Sequence, residues 1–274
     1  MDGDVDVGAG PLPRSVPDSS PGRIDLIVRE GRGRLGGTMF LDLLIQRARE
    51  NGRRVKPMDG DLKSRTLSTL YPSNDARGRA IEDGASSPVS DDIAHQKAWI
   101  QEQLNQMTED RVSRILDLSG GDRVMQELVL DLMLKDFCGD FGIGLTNIVM
   151  LGPDVEDFNH AMERVKAEDS RGDRVIFVLN EGVIRQGQTT EGAFNTIIKH
   201  PDFVAALEGG AQYILLRRLS CMHVLRERGI GFYDSAAGRP DRSGAKVPPT
   251  VQHMTKVWLG AFERSSEDIA EWLP

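Results

Sequence analysis

The chain has 274 residues, of which 39% are hydrophobic and 28% are charged, a composition typical of a globular protein with one sizeable core. Its formal net charge of -8 argues against a nucleic-acid-binding protein that is basic over its whole surface, but it does not exclude a local basic patch. No apolar run reaches the length of about 18 residues that a transmembrane helix needs. The two cysteines, Cys138 and Cys221, lie far apart without a CxxC pattern, which favours buried thiols of a cytoplasmic protein over a metal site.

The chain divides into an N-terminal arm and one domain. Residues 1–22 are rich in Asp, Gly, Pro and Ser and lack the basic-then-apolar order of a secretory signal, so we predict a disordered arm. Residues 23–274 are predicted to form a single domain. Within it, residues 71–90 are polar and rich in Ser, Gly, Asp and Pro, a composition that predicts a mobile loop.

The predicted elements begin with a strand, a glycine-rich stretch, a helix and a second strand. The strand covers residues 23–28, the helix covers residues 38–50, and the second strand covers residues 54–58. The helix is predicted to end at Asn51-Gly52, since both residues tolerate the left-handed conformation found at helix C-termini. This order is the βαβ unit of a parallel sheet.

Strands and helices continue to alternate after this unit. We therefore predict an α/β domain with a doubly wound, mostly parallel sheet and helices on both of its faces. The further elements are a helix over 91–107, a strand over 112–118, a helix over 124–137, a strand over 145–151, a helix over 155–166, a strand over 174–179, a strand over 212–219, a helix over 221–228, a linker over 234–247 and a terminal helix over 248–273.

The glycine-rich stretch has the spacing of a phosphate-binding loop. From Gly31 it reads GRGRLGGT, against the P-loop pattern G-x-x-x-x-G-K-[ST] between a strand and a helix. Such a loop binds phosphates through consecutive backbone N–H groups and a helix N-terminus, while the lysine adds charge and the Ser or Thr holds magnesium. The glycines and Thr38 are in register, but Gly37 occupies the lysine position. A glycine-rich turn that merely enters a helix is the alternative explanation.

Polar side chains follow three predicted strands at the ends where parallel sheets bind ligands. Asp59 and Asp61 come after the second strand, Asp117 ends an apolar strand beside two glycines, and Asn180 ends another. Asp117 has the setting of a carboxylate that holds magnesium through a water. An amide such as that of Asn180 can recognise the edge of a purine. Ordinary carboxylates in strand-to-turn positions are the alternative for the acidic residues.

Together, these motifs resemble the ParA/MinD group of P-loop ATPases. The resemblance is carried by GRGRLGGT, the helix end NGRRV, the segment MDGDLKSRTLS and the strand end DLSGGD, and it extends over residues 23–122 and, less closely, to about residue 234. It implies a homodimer that binds ATP or ADP with Mg²⁺ and switches its affinity for a protein partner of a partition or transfer apparatus. Plasmid partition, plasmid stability and conjugation are the settings that it suggests.

The resemblance also implies roles for single residues. Asp61 would orient the attacking water, and Arg32 would take the place of the lysine that reaches across the dimer. Thr38, Asp117 and Asp59 would hold the magnesium ion, and Asn180 would contact the base. The remaining cofactor-binding positions are Gly31, Gly33, Arg34, Leu35, Gly36 and Gly37.

Glycine in the lysine position leaves the activity open between a weak ATPase and a pseudo-ATPase adaptor. The adaptor would keep the fold and the dimer surface without turnover, and an unrelated α/β enzyme with a coincidental loop is a third alternative. Arg34 could partly replace the missing charge. On sequence grounds, Gly37→Lys is expected to tighten ATP binding, because the backbone cradle is otherwise complete.

A basic group near the end of the domain is a candidate for DNA contact. It could grip duplex phosphates without sequence preference, although a solvated helical face is the alternative. The five histidines are scattered without ligand spacing and predict no metal site. The four basic residues are Arg217, Arg218, Arg226 and Arg228.

Overall fold

Six parallel strands form the centre of the computed structural model, which describes residues 24–30, 32–118, 122–166 and 174–274. The strand order is β2-β3-β1-β4-β5-β6, and every neighbouring pair is parallel. The predicted α/β class with a doubly wound parallel sheet is therefore confirmed. The strands are β1 (Ile24–Glu30), β2 (Val55–Asp59), β3 (Ser113–Asp117), β4 (Ile143–Leu151), β5 (Arg174–Asn180) and β6 (Gln212–Leu216).

Helices lie between and after these strands, and two 3-10 turns cover Glu181–Val183 and Glu267–Trp272. None of the helices in the described ranges combines the length and the apolar character needed to cross a membrane. The helices are α1 (Gly37–Glu50), α2 (Thr66–Leu70), α3 (Ile93–Asp110), α4 (Asp122–Leu132), α5 (Leu134–Asp140), α6 (Val155–Lys166), α7 (Thr190–Ile198), α8 (Pro201–Glu208), α9 (Met222–Arg228), α10 (Phe232–Ala237) and α11 (Pro249–Ser265).

The helices cover both faces of the sheet because the strands are apolar on both sides. In β1, Ile27 packs with α1 and the α9–α11 group on one face, whereas Leu26 and Val28 pack with α3, α4 and α5 on the other. Helices α6, α7 and α8 complete this second face over β4 and β5. Because the strand order reverses at β1, the loop that follows β1 opens at the position where parallel sheets hold ligands.

The structure corrects several predicted boundaries. The helix predicted over 124–137 is two helices, α4 and α5, separated by Met133 in the left-handed conformation. The strand predicted over 212–219 stops at Leu216, and the linker predicted over 234–247 begins inside α10. The terminal helix ends at Ser265, and a 3-10 turn follows it.

Helices α7 and α8 were not predicted, although their N-termini carry recognisable capping residues. The Thr189 side chain accepts a hydrogen bond from the Gly192 N–H, and Pro201 occupies the first turn of α8. Both helices are short and follow one another closely, so their apolar residues show no extended period. The capping residues Thr189 and Pro201 were the sequence signal that could have predicted these two helices.

Residues 71–92 contain neither helix nor strand, and they contact the neighbouring elements. The Ala85 N–H donates to the Tyr71 carbonyl at 2.7 Å, and Ser86 forms a bridge with Met58 of β2. The Arg49 guanidinium lies 4.6 Å from the centre of the Tyr71 ring. The mobility of this loop stays a prediction.

Charged side chains are buried at the amino end of the sheet, opposite the glycine loop. Arg114 of β3 is fully buried, and its guanidinium donates to the Val112 carbonyl at 2.6 Å and to Asp110 Oδ2 at 2.7 Å. Lys56 donates to the same Asp110 oxygen at 2.9 Å from a partly exposed position. Two cations of different burial thus share one carboxylate.

Arg114→Ala is expected to lower the free energy of unfolding by about 3 kcal/mol, because it removes a fully buried side chain and takes the Arg114 donor from the Val112 carbonyl. Lys56→Ala is the matched control and is expected to cost less than about 1 kcal/mol, since the exposed pair gains little. Urea denaturation followed by circular dichroism measures both. Equal losses in the two variants would contradict the structural role assigned to Arg114.

Candidate phosphate-binding site

The loop between β1 and α1 requires glycine at position 36. Gly36 adopts a φ of 84°, a left-handed conformation that favours glycine. A Cβ there would lie 2.5 Å from Asn180 Nδ2, so a side chain would also displace that amide. The backbone conformation and the close approach of Asn180 therefore both require glycine at position 36.

Asn180 holds this loop in place from the end of β5. Its Nδ2 donates to the Leu35 carbonyl at 2.8 Å, and its Oδ1 accepts from the Gly182 N–H at 2.8 Å. The side chain is almost fully buried. The residue predicted to contact a base thus uses both polar groups of its amide on the main chain, and a base contact would require at least one of these bonds to open.

Helix α1 begins with free hydrogen-bond donors. The helix starts at Gly37 without a side-chain cap, and the Phe40 N–H donates to the Gly36 carbonyl at 3.0 Å. Within the described part of the chain, the N–H groups of Gly37, Thr38 and Met39 have no acceptor. These donors stand at the positive end of the helix dipole, an arrangement that favours an anion.

Thr38 and Asp117 meet beside this helix end. Thr38 Oγ1 donates to Asp117 Oδ2 at 2.6 Å, which joins α1 to the end of β3. Burial raises the pKa of the Asp117 carboxyl above its ordinary value, while the Arg29 charge and the Thr38 hydrogen bond act in the opposite direction. The negative charges of Asp59 and Asp61 raise this pKa further.

Arg29 is the site residue that the sequence analysis missed. Its side chain is buried, Nη2 donates to the Leu118 carbonyl at 2.6 Å, and Nε lies 2.8 Å from Asp117 Oδ1. The predicted strand ended at Val28, because the apolar run ends there, whereas β1 continues to Glu30. A cation two residues before a glycine loop that lacks its lysine was the signal that could have found it.

The Arg29 side chain occupies the space beside Gly37. A Cβ added at position 37 would lie 2.0 Å from Arg29 Cδ, 2.8 Å from Nε and 2.9 Å from Nη1. Gly37→Lys alone is therefore not expected to tighten nucleotide binding, because the new side chain would overlap Arg29. A lysine could enter only if the Arg29 side chain moved.

Asp59 and Asp61 make local hydrogen bonds after β2. Asp59 is buried, with Oδ2 accepting from the Ser68 N–H at 2.7 Å and Oδ1 accepting from the Asp61 N–H at 3.3 Å. Asp61 Oδ1 accepts from the N–H groups of Lys63 and Ser64, and Oδ2 accepts from the Ser64 hydroxyl at 2.8 Å. In this structure both carboxylates organise the turn into α2, and their metal and water roles stay predictions.

The outer part of the loop is exposed. Arg32 forms an ion pair with Asp157 of α6 at 3.1 Å, with half of its side chain exposed. Gly33 borders open space, and Arg34 is exposed with a φ of 70°. Gly31, which was predicted to bind the cofactor, lies outside the described residues.

These residues fit the phosphates of a nucleotide. The uncapped donors of α1 suit an anion, and the Thr38 hydroxyl with the Asp117 carboxylate supplies the hard oxygen ligands that Mg²⁺ prefers. Thr38 and Asp117 are thus the residues that would hold the ion with its waters. In the described ranges, no group of three or more His, Cys, Asp or Glu side chains is arranged to hold a metal ion.

The four arginines predicted to contact DNA differ in their surroundings. Arg218 donates to the carbonyls of Glu181 and Ile184, and Arg228 forms an ion pair with Asp241 at 3.0 Å. Arg217 and Arg226 are exposed, and no ion pair of theirs is found within the described part of the chain. Among the described residues, two of the four guanidinium groups, those of Arg217 and Arg226, therefore have no ion-pair partner.

No protein-family model matches the chain, and no curated protein matches it by sequence. Among solved structures, it is similar to the MinC:MinD cell division protein complex of Aquifex aeolicus, with a TM-score of 0.52, 15% identity, and coverage of 86% of this chain and 96% of that chain. The MinD cell division protein of Aquifex aeolicus has a TM-score of 0.47 at 15% identity, covering 86% and 97%. A protein assigned to plasmid partition in Borrelia burgdorferi B31, bound to AMPPNP, has a TM-score of 0.47 at 10% identity, covering 90% and 100%.

At such low identity, the first of these likenesses establishes the fold alone. The chain shares the α/β fold of that cell division protein structure, and its glycine loop follows the first strand. The fold-level part of the resemblance read from the sequence is thereby confirmed.

Asn180→Leu is expected to loosen the glycine loop, because the buried Leu35 carbonyl would lose its donor at a cost of about 1–3 kcal/mol. Hydrogen–deuterium exchange over residues 35–41 should accelerate by about tenfold or more. Thr189→Ala, which removes a cap from α7, is the control and should leave this region unchanged. Unaltered exchange in Asn180→Leu would show that Asn180 does not hold the loop.

Proposed function

We propose that the protein binds ATP or ADP in the loop between β1 and α1 and acts as a nucleotide-dependent dimeric switch of the ParA/MinD type. Plasmid partition, plasmid stability or conjugative transfer would be its setting. The observation that supports this most directly is the uncapped first turn of α1, with the N–H groups of Gly37, Thr38 and Met39 free among the described residues at the carboxyl edge of the sheet.

The neighbouring side chains would divide the remaining work. Thr38 and Asp117 already share a 2.6 Å hydrogen bond and would hold the magnesium ion with its waters. Bound magnesium supplies charge neutralisation of the phosphates. Asp61 would orient the attacking water, for which its carboxylate must leave some of its bonds to the following turn. Arg32, which is half exposed at the rim, would reach the nucleotide of the second protomer after release from Asp157.

A second function, a pseudo-ATPase adaptor, is favoured by the surroundings of Gly37. Asp117 already forms an ion pair with Arg29, and both carboxylates after β2 make local hydrogen bonds. Such a protein would bind nucleotide, or keep only the fold and the dimer surface, without turnover. Nucleotide affinity and hydrolysis measured separately distinguish the two functions.

A protein partner and a second copy of the chain are the proposed binding partners. Direct contact with DNA is a smaller part of the proposal, because Arg218 and Arg228 are engaged within the domain. The contact would fall to Arg217 and Arg226. About 0.9 counterion is released per phosphate contact, so two contacts predict a shallow salt dependence for each protomer.

Wild-type protein is expected to bind fluorescent ATP and ADP, measured by anisotropy with Mg²⁺ and with EDTA. Gly36→Ala should weaken this binding by about tenfold or more, because a Cβ would strain the left-handed backbone and press on Asn180. Gly52→Ala is the matched control. Gly52 has a φ of 74° at the other end of α1, with nothing within 4 Å of its Cβ position, so the affinity should persist.

Two results of this titration would contradict the proposal. Absence of nucleotide binding by folded wild-type protein in both buffers would remove the nucleotide from its function. Equal losses of affinity in Gly36→Ala and Gly52→Ala would place the binding site elsewhere, because the two substitutions strain the backbone alike but only one touches the loop.

Asp61→Ala is expected to abolish whatever ATP hydrolysis the protein has while sparing nucleotide affinity, because its carboxylate would act on the water and not on the bound phosphates. Asp117→Ala should instead reduce the difference between affinities measured with Mg²⁺ and with EDTA. Phosphate release and anisotropy measure the two effects. Equal loss of affinity in both variants would overturn these separate roles.

A further inference from the structure

The Arg29 side chain fills the space that a side chain at position 37 would occupy. Arg29 enters this volume from β1, and its Cδ lies 2.0 Å from the position that a Cβ of residue 37 would take. A P-loop lysine would begin at that Cβ. The structure therefore holds a cation from the neighbouring strand at the place where the sequence lacks one.

The polar atoms of this cation are incompletely used. Arg29 Nε and Asp117 Oδ1 lie 2.8 Å apart, but they are not aligned as a hydrogen bond, and both atoms are buried without a hydrogen-bond partner in the described part of the chain. The two side chains are only 6% and 2% exposed. Nη2 donates to the Leu118 carbonyl, whereas no hydrogen bond of Nη1 is found among the described residues. A buried donor such as Nε that has no hydrogen-bond acceptor among the described residues favours a ligand that supplies one.

The other cations of the loop are less suited to this place. Arg32 is half exposed and paired with Asp157, and Arg34 is exposed on the outer side. Water and salt screen exposed charges, whereas a buried guanidinium acts at a lower effective dielectric. Its planar group can also donate from several atoms at once, so it can keep Leu118 and Asp117 while reaching an oxyanion.

We propose that Arg29 supplies to the nucleotide phosphates the positive charge that a P-loop of this kind takes from its lysine, and that position 37 is glycine because Arg29 needs the space. This inference rests on the proposed nucleotide binding. By this inference the site has its cation despite Gly37, because the cation comes from Arg29 of β1 and not from a lysine of α1. Arg29 would contact the phosphates chiefly through Nη1, which lies 2.9 Å from the Cβ position of residue 37 and, unlike Nε, is not paired with the Asp117 carboxylate.

A double-mutant cycle tests this assignment with fluorescent ATP as the probe. Wild type, Arg29→Ala, Gly37→Lys and Arg29→Ala/Gly37→Lys are titrated in EDTA, so that a metal bound by the freed Asp117 carboxylate cannot compensate. Arg29→Ala is expected to lose about tenfold or more in affinity, because a charge-assisted contact is removed. Gly37→Lys alone should not gain affinity, whereas the double variant should return to within a few-fold of wild type.

Arg114→Ala is the matched control for the loss of a buried arginine. It removes a fully buried guanidinium from β3, the strand next to β1, but at the opposite end of the sheet. It should destabilise the protein and leave ATP affinity unchanged. A loss of affinity equal to that of Arg29→Ala would assign the effect to general destabilisation and overturn the inference.

Thermal unfolding without nucleotide tests the shared space on its own. Gly37→Lys should lower the Tm markedly in the wild-type background and much less in the Arg29→Ala background, because the overlapping side chain is then absent. An equal decrease in both backgrounds would overturn the steric part of the inference. This measurement does not depend on nucleotide binding.

The outcomes separate this inference from the function on which it rests. If wild type binds ATP and Arg29→Ala binds equally well, the nucleotide function stands and the role of Arg29 is wrong. The role is also wrong if the double variant stays as weak as Arg29→Ala, or if only the double variant binds, because Arg29 would then block the site. If no variant binds ATP, the nucleotide function itself fails and the role of Arg29 fails with it.

Discussion

The arrangement of the site depends on one buried carboxylate. Asp117 ends β3, the neighbour of β1 in the sheet, is almost fully excluded from water, and is reached from two sides by Thr38 of α1 and Arg29 of β1. Burial of an ionised group is costly unless partners compensate for its lost hydration. These partners connect the sheet to the helix that carries the glycine loop, so the loop geometry and the charge balance beneath it cannot be altered separately.

Asn180 performs the corresponding task on the other side of the loop. It joins the end of β5 to the Leu35 carbonyl, and its approach leaves no room for a side chain at Gly36. The loop is therefore held between two strands, β3 and β5, that flank the inner pair β1 and β4. A loop fixed from both sides presents its N–H groups without a large ordering cost, which is the condition for tight binding of an anion.

The fold was accessible from the sequence because its strands are continuous apolar runs separated by helices, and this pattern predicts a parallel sheet. The positions of the glycine loop, Thr38 and Asp117 at the ends of these elements were predictable for the same reason, since each follows or precedes such a run. The sequence could not place Arg29, because its role depends on the overlap between its side chain and position 37. Nor could it reveal that Asn180 and Asp61 use their polar atoms on nearby main chain and side-chain groups. Short helices such as α7 escaped because two turns give too few apolar positions to define a period.

The overlap of Arg29 with position 37 also constrains how such a loop could have arisen. An ancestor with lysine at position 37 could have accepted arginine at position 29 only with the arginine side chain in another place, because the two side chains compete for one volume. A stepwise route passes either through a strained chain that carries both residues or through a chain with small residues at both positions, whose loop lacks this cation. Any homologues should accordingly fall into two classes, in which arginine on the strand accompanies glycine in the loop, or lysine in the loop accompanies a small residue on the strand. Substitutions at positions 29 and 37 would then be correlated, and the loss of the loop lysine would not be independent of the strand residue.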